Sequence, residues 1–201
     1  MRAEAAPPLA ALVLAGGRST RMQRDKAALP YDGEPQLARA FRLVGELVPA
    51  TFVSVRGGQA EELLRAAYPR LAGRLADAGP VAGTLAAQDA RPDHAWLVVA
   101  VDLPRLDAGT LRHLLEARDP SALATAYRSA RDGLPEPLCA IWEPASRAPL
   151  AEFVRGGRTC PRKFLITHGA RLLDLPVAAA LDNVNTPAEY AAVAGHSGSP
   201  A

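Results

Sequence analysis

The stretch Val13–Leu29, VLAGGRSTRMQRDKAAL, decides how the rest of the chain is read. Leu9, Leu12, Val13 and Leu14 lead into it as a short buried strand that breaks at Gly16-Gly17 into a polar loop. Glycine admits positive φ and lets a ligand approach the main chain closely, so consecutive N–H groups can converge on one anion. Arg18, Arg21, Arg24 and Lys26 follow, with Asp25 alone to offset them. A Gly-Gly pair after a strand is also a common turn, and scattered Arg and Lys residues are commonly solvated surface. The order strand, Gly-Gly, Arg21, Lys26 favours a loop that holds polyphosphate. The stretch is neither a Walker loop, since it lacks the G-K-[ST] ending, nor a G-x-G-x-x-G dinucleotide fingerprint.

Outward from this loop the pattern alternates. Leu37, Ala40, Phe41, Val44 and Leu47 fall at helical spacing in Gln36–Leu47, TFVSV from Thr51 reads as a strand, and Gln59–Ala67 returns to a helical pattern. Such β-α-β-α order argues for a parallel sheet with helices on its faces. In Leu75–Leu85, LADAGPVAGTL, Asp77 precedes a Gly-Pro and Gly loop that opens a helix through Ala86, Ala87 and Ala90. Ala95–Val101, AWLVVAV, is the most hydrophobic run and the candidate central parallel strand. It ends at Asp102, where a carboxylate sits in the crevice that open α/β sheets use for ligands, and where it either caps the next segment or holds Mg²⁺ beside a polyphosphate.

Further on, Leu111, Leu114 and Leu115 make a helix stripe in Ala108–Ala117, and Ala122–Tyr127 reads as a strand. A polar loop over Ser129–Pro137 leads into the apolar strand LCAIW, and a helix from Leu150–Val154 stops at Gly156-Gly157. Arg158, Arg162 and Lys163 form a second basic cluster, which is either a solvated face or an anion site. In Leu181–Tyr190, LDNVNTPAEY, Asn183 and Asn185 alternate with Val184 and so face one side of an extended segment, while Thr186-Pro187 opens a terminal helix.

A chain of 201 residues, 49% of them apolar, can bury an ordinary core, and one domain over residues 1–194 with a disordered Gly/Ser/Pro tail over 195–201 is expected. The formal net charge of +2 is too small to imply a nucleic-acid or membrane partner, so the basic loop is a local feature that suits a small anion. Cys139 and Cys160 stand apart without a C-x-x-C pattern and are expected to be reduced thiols. With no apolar run long enough for a bilayer and no secretory signal, a cytoplasmic protein is expected.

LAGGRSTRMQRDKAALP resembles the L-A-G-G-x-S-x-R-M-G-x-D-K-A-L signature of the molybdenum cofactor guanylyltransferases, a family within the nucleotide-sugar-type nucleotidyltransferases; Gln23 stands where that family usually has Gly. DAGPVAG, VDLP and NVNTP resemble further elements of the family in the same order, with fewer residues between Asp77 and the Gly-Pro than is common there. The resemblance implies a three-layer α/β/α Rossmann-like nucleotidyltransferase domain with a mostly parallel central sheet. It implies transfer of GMP from GTP to molybdopterin, with pyrophosphate released and Mg²⁺ as cofactor. Arg21, Lys26 and Asp102 would be catalytic, and Leu14, Ala15, Gly16, Gly17, Lys26, Asp77, Gly83 and Asp102 would line the nucleotide. Asp102 and Asn185 would hold the metal, and Arg158, Arg162, Lys163 and Asn183 would face the second substrate. Molybdoenzymes or their chaperones are possible partners. The rival readings are a cytidylyltransferase of the same cofactor, a sugar-phosphate nucleotidyltransferase, and a non-catalytic nucleotide-binding accessory protein. LAGG in place of L-A-A-G favours guanylyl over cytidylyl transfer.

Overall fold

Seven strands form one sheet in the computed structural model, in the spatial order β5-β4-β1-β6-β8-β7-β9, and the order reverses at β1. The structure describes residues 5–16, 25–56, 63–73, 79–184 and 186–194. In chain order the elements are β1 (Leu9–Leu14), the short hairpin β2 (Pro30–Tyr31) and β3 (Glu34–Pro35), α1 (Gln36–Gly45) and β4 (Thr51–Val55). Then come α2 (Leu63–Ala66), β5 (Arg70–Ala72), α3 (Pro80–Ala90), β6 (Ala95–Ala100), α4 (Ala108–Glu116), β7 (Ala124–Arg128) and β8 (Pro135–Trp142). The chain closes with α5 (Arg147–Arg155), α6 (Pro161–His168), β9 (Arg171–Leu173) and α7 (Pro187–Ala194). A 3-10 turn, Lys26–Ala28, precedes β2.

Pairing is parallel for β1 with β4, β1 with β6, β4 with β5 and β7 with β9, whereas β8 runs antiparallel to both neighbours, β6 and β7. The sheet is thus mostly parallel, with β8 the one reversed strand. All six residues of β6 are buried, as expected of a strand covered on both faces.

The period-2 alternation sorts the core into two layers. Ala11, Val13, Val53, Leu97, Val99 and Ile141 face α1 and α4, meeting Leu37, Ala40, Val44, Leu111 and Leu114. Ala10, Leu12, Trp96, Val98, Ala140 and Trp142 face the opposite way, toward Val81 and Leu85 of α3, Leu150 and Phe153 of α5, and Phe164 and Leu165 of α6. Helix, sheet and helix therefore stack as three layers, the expected class.

Three local expectations are corrected. GPVAG is not a loop ahead of a helix: α3 begins at Pro80, with Pro at its first turn and Gly79 before it at φ +60°, a value that glycine adopts without strain. The strand expected as LCAIW starts earlier, at Pro135, and the loop expected over Ser129–Pro137 ends before it. Pro135 is tolerated because β8 there pairs with β7 alone, beyond the last β6 partner at Cys139. The basic cluster also carries an unexpected helix, α6, opened by Pro161. Cys139 is buried and Cys160 exposed, both as free thiols. No helix among the described residues is long and apolar enough to cross a membrane. The tail from Gly195 lies outside the described residues.

Candidate functional site

β1 and β6 lie side by side, with Leu14 in register with Ala100, so the chain leaves the sheet at Ala15 and at Val101 on the same edge. The Val101 N–H donates to the Leu14 carbonyl at 3.2 Å, which carries the pairing one residue past β6 and leaves Asp102 as the next residue beyond the strand end. There Lys26 Nζ donates to Asp102 Oδ2 at 2.9 Å. The Asp102 carbonyl accepts from the Val184 N–H at 3.2 Å, so the NVNTP segment is pinned against the same residue. Three elements far apart in sequence thus meet at one residue, Lys26 at its carboxylate and Val184 at its main-chain carbonyl.

Asp102 has a second oxygen, Oδ1, that is buried and has no hydrogen-bond partner among the described residues. A buried carboxylate oxygen without a donor is costly, and a hard cation is a natural occupant of such a lone pair. No group of three or more His, Cys, Asp or Glu side chains is gathered among the described residues, and phosphate, water and amide oxygens are further ligands that a hard cation accepts. Tyr31 lies close by, buried at 5% exposure, and its phenol is pushed up to about 12 by burial and then by the charges of Tyr190 and Asp102. It stays neutral at physiological pH. Tyr190 of α7 meets the Tyr31 ring edge-on at 5.2 Å and donates from its hydroxyl to the Pro30 carbonyl at 2.7 Å, fastening the chain's last helix over the β2–β3 hairpin.

The strand-end main chain is already committed. The Leu14 carbonyl receives Val101, the Ala15 N–H donates to the Ser54 carbonyl at 3.4 Å, and the Ala15 carbonyl receives both Nε and Nη2 of Arg65 at 3.1 and 2.7 Å. Arg65 also forks onto Asp25, with Nη1 to Oδ2 at 2.7 Å and Nη2 to Oδ1 at 2.9 Å. Asp25 Oδ1 accepts in addition from the Ala27 N–H at 3.1 Å, capping the 3-10 turn that carries Lys26. Sequence reading missed Arg65 because an arginine after two leucines in a short helix carries no signal of burial.

Gly83, expected to line the nucleotide, is a buried residue inside α3. A Cβ there would stand 2.6 Å from Ser54 Oγ and 2.8 Å from Leu14 Cδ2, so the glycine lets α3 lie close against the ends of β1 and β4. The second basic cluster is divided among separate partners. Arg158 lies over the Phe153 ring at 4.2 Å, Arg162 pairs with Asp132 at 2.9 Å and Glu136 at 2.8 Å, and Lys163 is exposed. Beside Val184, a different carboxylate gathers arginines: Asp182 receives Arg105 at 3.3 Å and Arg131 at 3.2 Å. Asn183 is exposed, while its neighbour Val184 is buried at 4% exposure. Gly17, Arg21, Asp77 and Asn185 lie outside the described residues.

Residues 11–172 match the model of the MobA-like NTP transferase domain. The chain belongs to this family. It is 34% identical over 192 residues to the molybdenum cofactor guanylyltransferase of Pseudomonas paraeruginosa, covering 91% of this chain and 93% of that one. It is 31% identical over 183 residues to the molybdenum cofactor biosynthesis bifunctional protein of Synechocystis sp., covering 91% of this chain but 53% of that protein, so it spans about half of that relative's length. Among solved structures, the molybdopterin-guanine dinucleotide biosynthesis protein A of Archaeoglobus fulgidus superposes with a TM-score of 0.75 at 19% identity, over 93% of this chain and 97% of that one. That likeness establishes the shared fold. As a member of this family the chain is a nucleotidyltransferase.

Proposed function

We propose that residues 1–194 form one catalytic unit that transfers GMP from GTP to the terminal phosphate of molybdopterin. The observation that carries this reading is the meeting of Lys26, Asp102 and Val184 at the ends of β1 and β6, in a family member whose relatives are named for guanylyl transfer. An oxygen of the acceptor phosphate attacks the α-phosphorus of GTP. The bond from that phosphorus to the bridging oxygen breaks, and pyrophosphate leaves with the electron pair. No covalent enzyme intermediate is required, so the residues act by positioning and by neutralising charge.

Lys26 balances negative charge on the triphosphate, joined by Arg21 and by main-chain N–H groups at Gly16 and Gly17. Asp102 holds Mg²⁺ through the oxygen that no described side chain occupies, with Asn185 as a neutral ligand beside it. When bound, the ion would draw phosphate charge toward itself and fix phosphate orientation. Asp77 reads guanine, since a carboxylate can accept from both N1–H and N2–H₂. Arg158, Arg162, Lys163 and Asn183 stand on the acceptor side, where Arg162 must exchange a carboxylate partner for phosphate to contribute. Molybdoenzymes or their chaperones would receive the product, and the cytoplasm is the compartment in which it is made.

Purified protein supplied with molybdopterin, Mg²⁺ and each of GTP, CTP, ATP and UTP tests the reading. Pyrophosphate release with GTP well above the other three is expected. Release with CTP foremost would transfer the reading to the cytidylyl class, and binding of GTP without release would make the protein a nucleotide-binding accessory.

A further inference from the structure

Arg65 has no place in the chemistry above, yet it is among the largest fully buried side chains of the molecule and is 0% exposed. Among the described residues its guanidinium reaches two points of the chain. One is the Ala15 carbonyl, the first residue after β1, and the other is the carboxylate of Asp25, the residue directly before Lys26. A single planar fork therefore ties the place where the chain leaves the sheet to the place where it returns at the 3-10 turn. Asp25 passes the constraint on, because it caps that turn through the Ala27 N–H. Lys26, next in sequence, is the residue whose Nζ reaches Asp102.

We propose that Arg65 is a positioning residue for nucleotidyl transfer: through Asp25 it fixes the backbone from which Lys26 reaches the phosphates, without touching substrate itself. The proposal rests on the reading of Lys26 as a phosphate-neutralising group. A lysine stem has many rotamers, and its ammonium is useful at the phosphates only if the backbone beneath it is held. The Arg65 fork supplies that hold where its charge is shielded from water and its planar geometry dictates orientation. An arginine that merely stabilised the fold would have no reason to act through one particular lysine. That difference is measurable as non-additivity.

The test uses Asp25→Asn, Arg65→Lys, Lys26→Ala and the double variants that combine each of the first two with Lys26→Ala. Binding of Mg²⁺ with inorganic tripolyphosphate is measured by calorimetry, together with pyrophosphate release from GTP and the melting temperature. Asp25→Asn keeps the shape and one acceptor for the cap and leaves Arg65 itself in place, and Asp25 is 35% exposed, so it is the milder of the two changes if Arg65→Lys does not fold. Asp25→Asn is expected to weaken tripolyphosphate binding and to lower turnover about tenfold to 100-fold. Its melting temperature should fall further than that of Lys26→Ala, because the buried Arg65 guanidinium loses its carboxylate, so binding and turnover are compared at a temperature where every variant is folded. In the Lys26→Ala background the same change should have no further effect on binding or turnover. Equal losses from Asp25→Asn with and without Lys26 would overturn the positioning role while leaving Lys26 in place. Tripolyphosphate binding unchanged by Lys26→Ala would overturn the phosphate role of Lys26 and the positioning role together.

Discussion

Lys26 and Asp102, 76 residues apart in sequence, meet at 2.9 Å with side chains about a fifth exposed, at 18% and 21%. A lysine and a carboxylate that each suit one half of a metal–polyphosphate ion pair are here partners of one another. The pair holds both groups at the same end of β1 and β6, and under the proposed function a nucleotide and its metal would take the ammonium with the phosphates and the carboxylate with the cation.

Replacing Lys26 by Ala should therefore cost far more activity than stability. A partly exposed ion pair contributes about 0.2–1 kcal/mol to folding. Removing a cation that faces charge developing in the transition state commonly costs about 10²-fold or more in turnover. The check is kcat for pyrophosphate release beside a urea melt. Wild-type turnover in Lys26→Ala would remove this residue from the chemistry.

Asp102→Asn keeps the shape of the side chain and its main-chain bond from Val184, so the fold should persist. The amide offers Mg²⁺ no negative charge, and turnover should fall steeply at ordinary Mg²⁺ concentration and recover in part as Mg²⁺ is raised. Turnover that is both undiminished and independent of Mg²⁺ would rule out this carboxylate as a ligand.

Much of this arrangement was legible in the sequence, for identifiable reasons. Leu12, Val13 and Leu14 announce β1 by a short apolar run, AWLVVA announces β6 by being apolar at every position, and Asp102 stands out as the first charge after it. The start of α3 was harder, because Gly79 and Pro80 read equally as a loop and as a helix opening until the packing of Gly83 on Ser54 is known. β8 was obscured by Pro135 and Pro137, which argue against a strand unless the strand outruns its neighbour β6. Arg65 was not legible at all. Its burial depends on Ala15 and Asp25, 50 and 40 residues away, and no local pattern records such partners.

Asp77→Ala should narrow the preference for GTP over ATP. Sites that bond a polar edge can discriminate by about 10⁴ because the wrong base leaves a buried group unpaired. Losing the carboxylate removes both the attraction for guanine and the penalty against adenine. The measurement is kcat/KM for both nucleotides in both proteins. An unchanged ratio would place base recognition elsewhere, and the strand-end groups Leu14 O, Ala15 N and Ala15 O already have other partners.

Gly83→Ala should lower stability by about 1–3 kcal/mol, since its methyl group would press on Ser54 Oγ and Leu14 Cδ2 in a closely packed layer. Adding Ser54→Ala removes the nearer of the two obstructions and should restore part of the loss. Additive losses in the double variant would mean that α3 shifts as a whole and that the contact with Ser54 does not set its distance from the sheet.

Alkaline pH should destabilise the protein in a defined window. The Cys139 thiol, 1% exposed, is pushed up to about 12 by burial and then by Glu136. The Tyr31 phenol is likewise pushed up to about 12, and Tyr127 is raised further, chiefly by burial and then by Cys139 and Asp107. In the unfolded chain a thiol loses its proton near 8.5 and a phenol near 10, both approximate values. Above those values the unfolded state therefore binds fewer protons than the folded state, and stability falls as pH rises. The contribution of the three groups is fully present below about pH 8 and is lost progressively toward pH 12. Melting temperatures measured from pH 8 to 10.5 should decline, and Cys139→Ala should flatten the first part of that decline while lowering the whole curve through the cavity it leaves. A variant curve that runs parallel to the wild type through that range would show that the thiol ionises no differently in the folded chain.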